Sequence, residues 1–94
     1  MYNILDYTYA KAKDLNVDVK PSTNPNKKID VFKNGRKLAS IGATGYDDFP
    51  TYIKTRGLKY ALNRRRLYYA RHKNEANIKD GNLTPSFYAK YLLW

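Results

Sequence analysis

Apolar and polar positions alternate most clearly between Lys28 and Ala43. Ile29, Val31 and Lys33 alternate with Asp30 and Phe32. Asn34-Gly35 then supplies the two positive-φ positions of a type I′ turn, and Leu38-Ala39-Ser40-Ile41 makes the return strand. The pattern predicts an antiparallel β-hairpin that acts as a scaffold packed under a helix. A β-ribbon inserted in a nucleic-acid groove is the competing use of the same pattern.

The period changes after the hairpin. Gly42-Ala43-Thr44-Gly45 predicts a bend that breaks the strand, and no Lys-Ser/Thr pair follows to make it a phosphate loop. Asp47 or Asp48 is placed to cap a helix starting near Pro50 or Thr51, with Gly57 kinking or dividing it. From Leu58 to about Ala76 the spacing is helical. At about 100° per residue, Leu58, Ala61, Leu62, Tyr68, Tyr69 and Ala76 share one face. Lys59, Arg66 and Lys73 lie to one side of it and Arg64 and Arg71 across the back. Tyr60, Leu67 and Ile78 form a narrower apolar stripe opposite, so this helix is sandwiched or binds something. Asp80-Gly81-Asn82 centres a loop. Thr84-Pro85 opens a last helix whose apolar face is Phe87, Tyr88, Tyr91 and Leu92, with Leu92, Leu93 and Trp94 expected to dock on the domain or on a partner. At the other end, Tyr2–Leu15 predicts a short helix, Val17-Asp18-Val19 a strand, and residues 21–26 a loop.

These elements predict a small single α+β domain: an antiparallel hairpin, a long basic helix and a short C-terminal helix. Residues 27–94 form the hairpin-helix-helix domain, and residues 1–26 an N-terminal arm or short helix with a loop.

Charge narrows the choice of partner. The 94 residues carry a formal net charge of +10, which disfavours a compact isolated monomer and favours anionic partners. Eight Lys or Arg residues and no carboxylate lie between Lys54 and Lys73, with Tyr60, Tyr68 and Tyr69 among them. Ten tyrosines give a short chain many rings that bury a face while keeping a polar tip wet, as interfaces require. The absence of Cys excludes disulfides, thiolate zinc sites and thiol catalysis. The first residues lack a signal-peptide pattern, and no apolar run approaches a membrane span, so no membrane partner is expected.

The sequence offers little to catalysis. Its one His and eight carboxylates show no converging acid–base set, so the expectation is a protein that is not an enzyme and takes no cofactor or metal. Arg65 and His72 fall on the apolar face of the long helix. A buried Arg needs a carboxylate, so Arg65 is expected to tie to the Asp47-Asp48 corner, and His72 to be a core histidine with a hydrogen-bond partner. Arg71 and Glu75 stand at i, i+4 as an ion pair. The partner-binding set is therefore Lys59, Tyr60, Arg64, Arg66, Leu67, Arg71 and Lys73; the structural set is Asp47, Asp48, Arg65, Tyr68, His72 and Trp94.

Four pieces of the chain carry a resemblance: Lys27-Lys28-Ile29-Asp30-Val31; Ile41-Gly42-Ala43-Thr44-Gly45-Tyr46-Asp47-Asp48-Phe49; Tyr68-x-x-Arg71-His72-Lys73-Asn74-Glu75; and Tyr91-Leu92-Leu93-Trp94. In that order they resemble an uncharacterised family of short basic proteins encoded by large nucleocytoplasmic DNA viruses. The chain departs from that family in its purely basic helix before Glu75, and in having Phe87 and Tyr88 where members carry a further Trp. The resemblance implies a viral origin and a scaffold shared through Tyr68, Arg71, His72 and Trp94, but no mechanism. Together with the charge, it yields the expectation of a minor capsid or cement protein. Such a protein would sit in the virion in many copies and bind viral capsid or other acidic protein surfaces, or the genome. The alternative is a DNA- or RNA-binding protein working in the cytoplasm or nucleus of the infected cell.

Overall fold

The computed structural model describes residues 1–94. Its sheet is antiparallel, in the order β1 (Asp18–Pro21), β2 (Lys27–Lys33), β3 (Arg36–Ala43). The Asn34-Gly35 turn has φ values of 52° and 78°, the geometry of the predicted type I′ hairpin. Val19, Ile29, Val31, Ala39 and Ile41 are paired across the three strands and are all buried, which makes one face of the sheet the floor of the core. The N-terminal residues are more than an arm: β1 completes the sheet against β2, Ile4 and Ala12 lie in the core, and the Thr8 hydroxyl donates to the Leu92 carbonyl at 2.8 Å.

Helix α1 (Asp6–Leu15) ends at Asn16, whose left-handed backbone lets its N–H reach back to the carbonyls of the last turn, a glycine-like stop that Asn tolerates. Asp48 caps α2 (Phe49–Arg56) by accepting from the Thr51 N–H at 3.1 Å. Gly57, at φ 87°, divides α2 from α3 (Leu58–His72), which packs against α2. The predicted helix to Ala76 stops short at His72. Glu75 is taken by the His72 ring and the Ser86 hydroxyl, and Thr84 takes the Ala76 carbonyl. The segment expected as a loop is a two-residue hairpin, β4 (Ile78–Lys79) and β5 (Asn82–Leu83), turned by Asp80 and Gly81 at positive φ. Strands this short display no period in the sequence. Helix α4 (Pro85–Leu93), capped by Thr84, packs on β3 and α1, and buries Tyr88, Leu92, Leu93 and the following Trp94.

The simple alternation predicted for β2 is incomplete. Lys28, Ile29, Asp30 and Val31 are all buried, so polar side chains on the second face are enclosed by partners. Asp30 accepts from the hydroxyls of Ser22 (2.6 Å) and Ser40 (2.7 Å) and from the Thr23 N–H, with Lys37 at 3.6 Å. Burial pushes its carboxyl up, but the hydrogen bonds and the Lys37 charge outweigh burial and hold it below the usual Asp range. Nor does Gly42 break the strand; β3 continues through it to Ala43, opposite Lys27. Its glycine is required because φ is +78° and a Cβ would stand 2.8 Å from Leu93 Cδ1.

Two measurements test these packings. Gly42→Ala, facing both a positive φ and Leu93, is expected to cost about 1–3 kcal/mol in urea unfolding. Gly45→Ala, at φ +92° with no atom within 4 Å, meets backbone strain alone and costs less. Because the Asp30 carboxyl is lowered in the folded state, its contribution is present above the unfolded Asp value and is lost as pH falls through the folded one. Asp30→Asn should flatten this part of the acid limb of a stability–pH curve; an unchanged limb removes Asp30 from that role.

Candidate binding surface

The site begins at the Asp47-Asp48 corner, where the expected Arg65 tie is replaced by another. Asp48 is 1% exposed and binds Lys28 Nζ at 2.9 Å through Oδ2, which also accepts from the Tyr2 hydroxyl at 2.6 Å. Asp47 is exposed. Burial first, and then the bond to Asp48, pushes the Tyr2 hydroxyl well above the usual tyrosine range. Arg65 does turn inward, but to rings: its guanidinium carbon lies 4.3 Å from the Phe49 centroid, and Phe49 meets Tyr7 edge-on at 5.3 Å. Burial raises the Tyr7 hydroxyl while the Arg65 charge opposes the rise. An aromatic face attracts a guanidinium without a carboxylate, which a carboxylate-matching rule for buried Arg overlooks.

The same attraction sets the rotation of α3. Only Ala61 is fully buried on it, while Arg64, Arg65, Tyr68 and His72 occupy the rest of the inward side. Arg64 lies 5.6 Å over Tyr52. Leu58, Leu62 and Tyr69, expected in the apolar face, are instead 56%, 42% and 43% exposed. Periodicity puts Arg65 on the apolar face but Arg64 across the back; with Arg64 also turned in over Tyr52, the buried face shifts away from these three residues. Lys59, Arg66 and Lys73 are exposed beside them, as predicted from their positions on the helix.

Tyr68, His72 and Trp94 come together as one stack. Tyr68 lies 4.3 Å from Trp94 at an interplanar angle of 9°, and His72 covers its other side at 4.2 Å. The His72 Nδ1 is 2.5 Å from Glu75, so the predicted Arg71–Glu75 pair gives way to a His72–Glu75 pair and Arg71 has no ion-pair partner. The Ser86 and His72 hydrogen bonds hold the Glu75 carboxyl below its ordinary value. Burial, helped by the Glu75 charge, raises the Tyr68 hydroxyl. Tyr60 and Leu67 are each 37% exposed; Tyr60 meets Tyr52 edge-on and lies under Arg56.

The seven residues expected to meet a partner therefore divide. Lys59, Arg66 and Lys73 accompany the exposed Leu58, Leu62 and Tyr69. Arg64 and Arg71 instead line a cleft of about 530 Å³ with Tyr68, His72 and Trp94. Tyr60 and Leu67 belong to the side of α3 between these sets. Sequence spacing did not single out Lys28, Tyr2 or Tyr46, whose neighbours come from distant segments.

Residues 17–55 match the model of a family of unknown function, DUF5754. The matched segment, under half the chain, runs from β1 to the last turn of α2 and includes Lys28 and Asp48 but none of α3. No curated protein and no solved structure matches the chain.

Lys28→Met leaves a buried carboxylate without its cation and is expected to cost about 3–5 kcal/mol, whereas Arg65→Met loses a cation–ring contact worth about 0.5–2 kcal/mol. Urea unfolding of the two variants distinguishes them; a larger loss at Arg65 would reinstate it as the principal tie.

Proposed function

We propose that this chain is a small non-enzymatic structural protein that docks through the outer side of α3 onto an acidic protein surface, as a minor capsid or cement component of a virion. The observation that carries the docking reading is the exposed row Leu58, Leu62 and Tyr69 beside Lys59, Arg66 and Lys73, on a helix with no carboxylate. Exposed apolar side chains supply burial in a protein–protein interface, and the neighbouring cations select and steer an acidic partner. The virion setting rests on the resemblance of the four sequence pieces to short proteins of large DNA viruses.

A second reading, a protein that binds DNA or RNA, is favoured by Tyr60, an exposed ring with Arg56 over it. Stacking beside cations suits a single strand, with phosphate contacts making the affinity salt-dependent.

Cross-linking mass spectrometry on purified particles of the encoding virus tests the first reading. The protein should be present, with links from Lys59 or Lys73 to an acidic shell protein, and Leu58→Asp/Leu62→Asp should be lost from the particle. Absence of the wild-type chain from particles overturns the virion role. In a parallel titration, tight single-stranded DNA binding that collapses with salt and with Lys59→Gln/Arg66→Gln would move α3 to the second reading.

A further inference from the structure

The cleft on the other flank of α3 has a chemistry that an acidic docking surface does not require. Three of its walls are aromatic. Tyr52 comes from α2, Tyr68 from α3, and Trp94 from the residue after α4. Tyr46, 76% exposed, stands at its margin on the β3–α2 loop. Its cations differ in their commitments. Lys28 is paired with Asp48 and His72 with Glu75. Arg64 and Arg71 also line it, two helical turns apart on α3, and neither forms an ion pair or a hydrogen bond within the chain. Asp47 is the one acidic side chain in the lining. The volume, about 530 Å³, lies within the range of small-molecule sites, which combine aromatic walls with a few convergent polar groups.

We propose that this cleft binds a nucleoside phosphate, with the base over the exposed Tyr46 ring at its mouth and the phosphate on Arg64 and Arg71. Guanidinium groups without an ion-pair partner match phosphate oxygens in planar, bidentate geometry. A base stacks on an open tyrosine face such as that of Tyr46 whatever its identity, because every base has a π-face, whereas Tyr68 is already stacked against Trp94 and His72. A purely aliphatic ligand would leave both arginines unpaired, and inorganic phosphate would leave the Tyr46 ring uncovered. Asp47 disfavours a second phosphate near the loop, so the fit is to a monophosphate, free or within a single strand. This inference stands apart from the docking of α3 on a protein surface, which uses the opposite flank.

Trp94 is the only tryptophan and lines the cleft, so its fluorescence, excited at the red edge where nucleotides do not absorb, reports occupancy directly. Titration of the full chain with adenosine monophosphate and with a short oligothymidylate should give saturable quenching. Inorganic phosphate alone should compete without quenching. Arg64→Gln and Arg71→Gln should each weaken binding about tenfold, the scale of one lost charge-assisted contact. Lys59→Gln/Arg66→Gln, on the docking flank, should leave it unchanged. Equal affinity for the mononucleotide and the oligomer identifies a free nucleotide as the source, and tighter oligomer binding identifies a single strand. No saturable quenching by either probe, or equal losses from the two arginine variants and the docking-flank variant, overturns the proposal. Circular dichroism of each variant excludes a loss caused by unfolding.

Discussion

The buried Lys28–Asp48 ion pair is the constraint around which the rest of the molecule is arranged. A lone carboxylate in that position would be expensive, and its cost is met from three directions. Lys28 supplies the opposite charge from the central strand, Tyr2 a hydroxyl from the first residues, and Thr51 a backbone N–H from the helix that Asp48 caps. One side chain thus fixes strand β2, the N-terminal segment and the start of α2 relative to one another. Because α2 carries Phe49 and Tyr52, the same junction positions the rings on which Arg65 and Arg64 rest.

Rings take the place of carboxylates in the helical half. Arg64 and Arg65 face aromatic surfaces, and Tyr68 fills the space between Trp94 and His72. A helix with no acidic residue can therefore pack while keeping its positive charge uncompensated. The division of that charge follows from this packing. Arg64 and Arg71 line the cleft with Tyr68, Arg65 rests on Phe49, and the cations on the outer side remain beside exposed leucines.

The β2–β3 hairpin, the Asp48 cap, the Thr84-Pro85 start and the docking of the closing Leu-Leu-Trp were legible because each depends on local chemistry: a positive-φ dipeptide, a short acceptor, a ring-fixed φ, an apolar cluster. The rotation of α3 was not. Periodicity sorts residues by average polarity, and on that scale Arg65 over Phe49 looks like an exposed charge or a salt bridge, while Leu58 and Leu62 look like core. Lys28 was equally opaque, since a lysine in a strand reads as solvent-facing until the carboxylate twenty residues later is brought to it. The candidate site shows the same limit. Arg64 and Arg71 could be named from the sequence, but their common cleft with Tyr46 and Tyr52 exists only through the α2–α3 turn at Gly57.

The hydrogen bond from Thr8 to Leu92 spans 84 residues and joins the first helix to the last. Such a contact rewards the chain only after a long loop has been closed, which slows folding relative to a bundle of neighbouring helices. Until α4 is in place, β3 lacks the helix that packs on it, and apolar surface left open in this way favours association between incomplete chains.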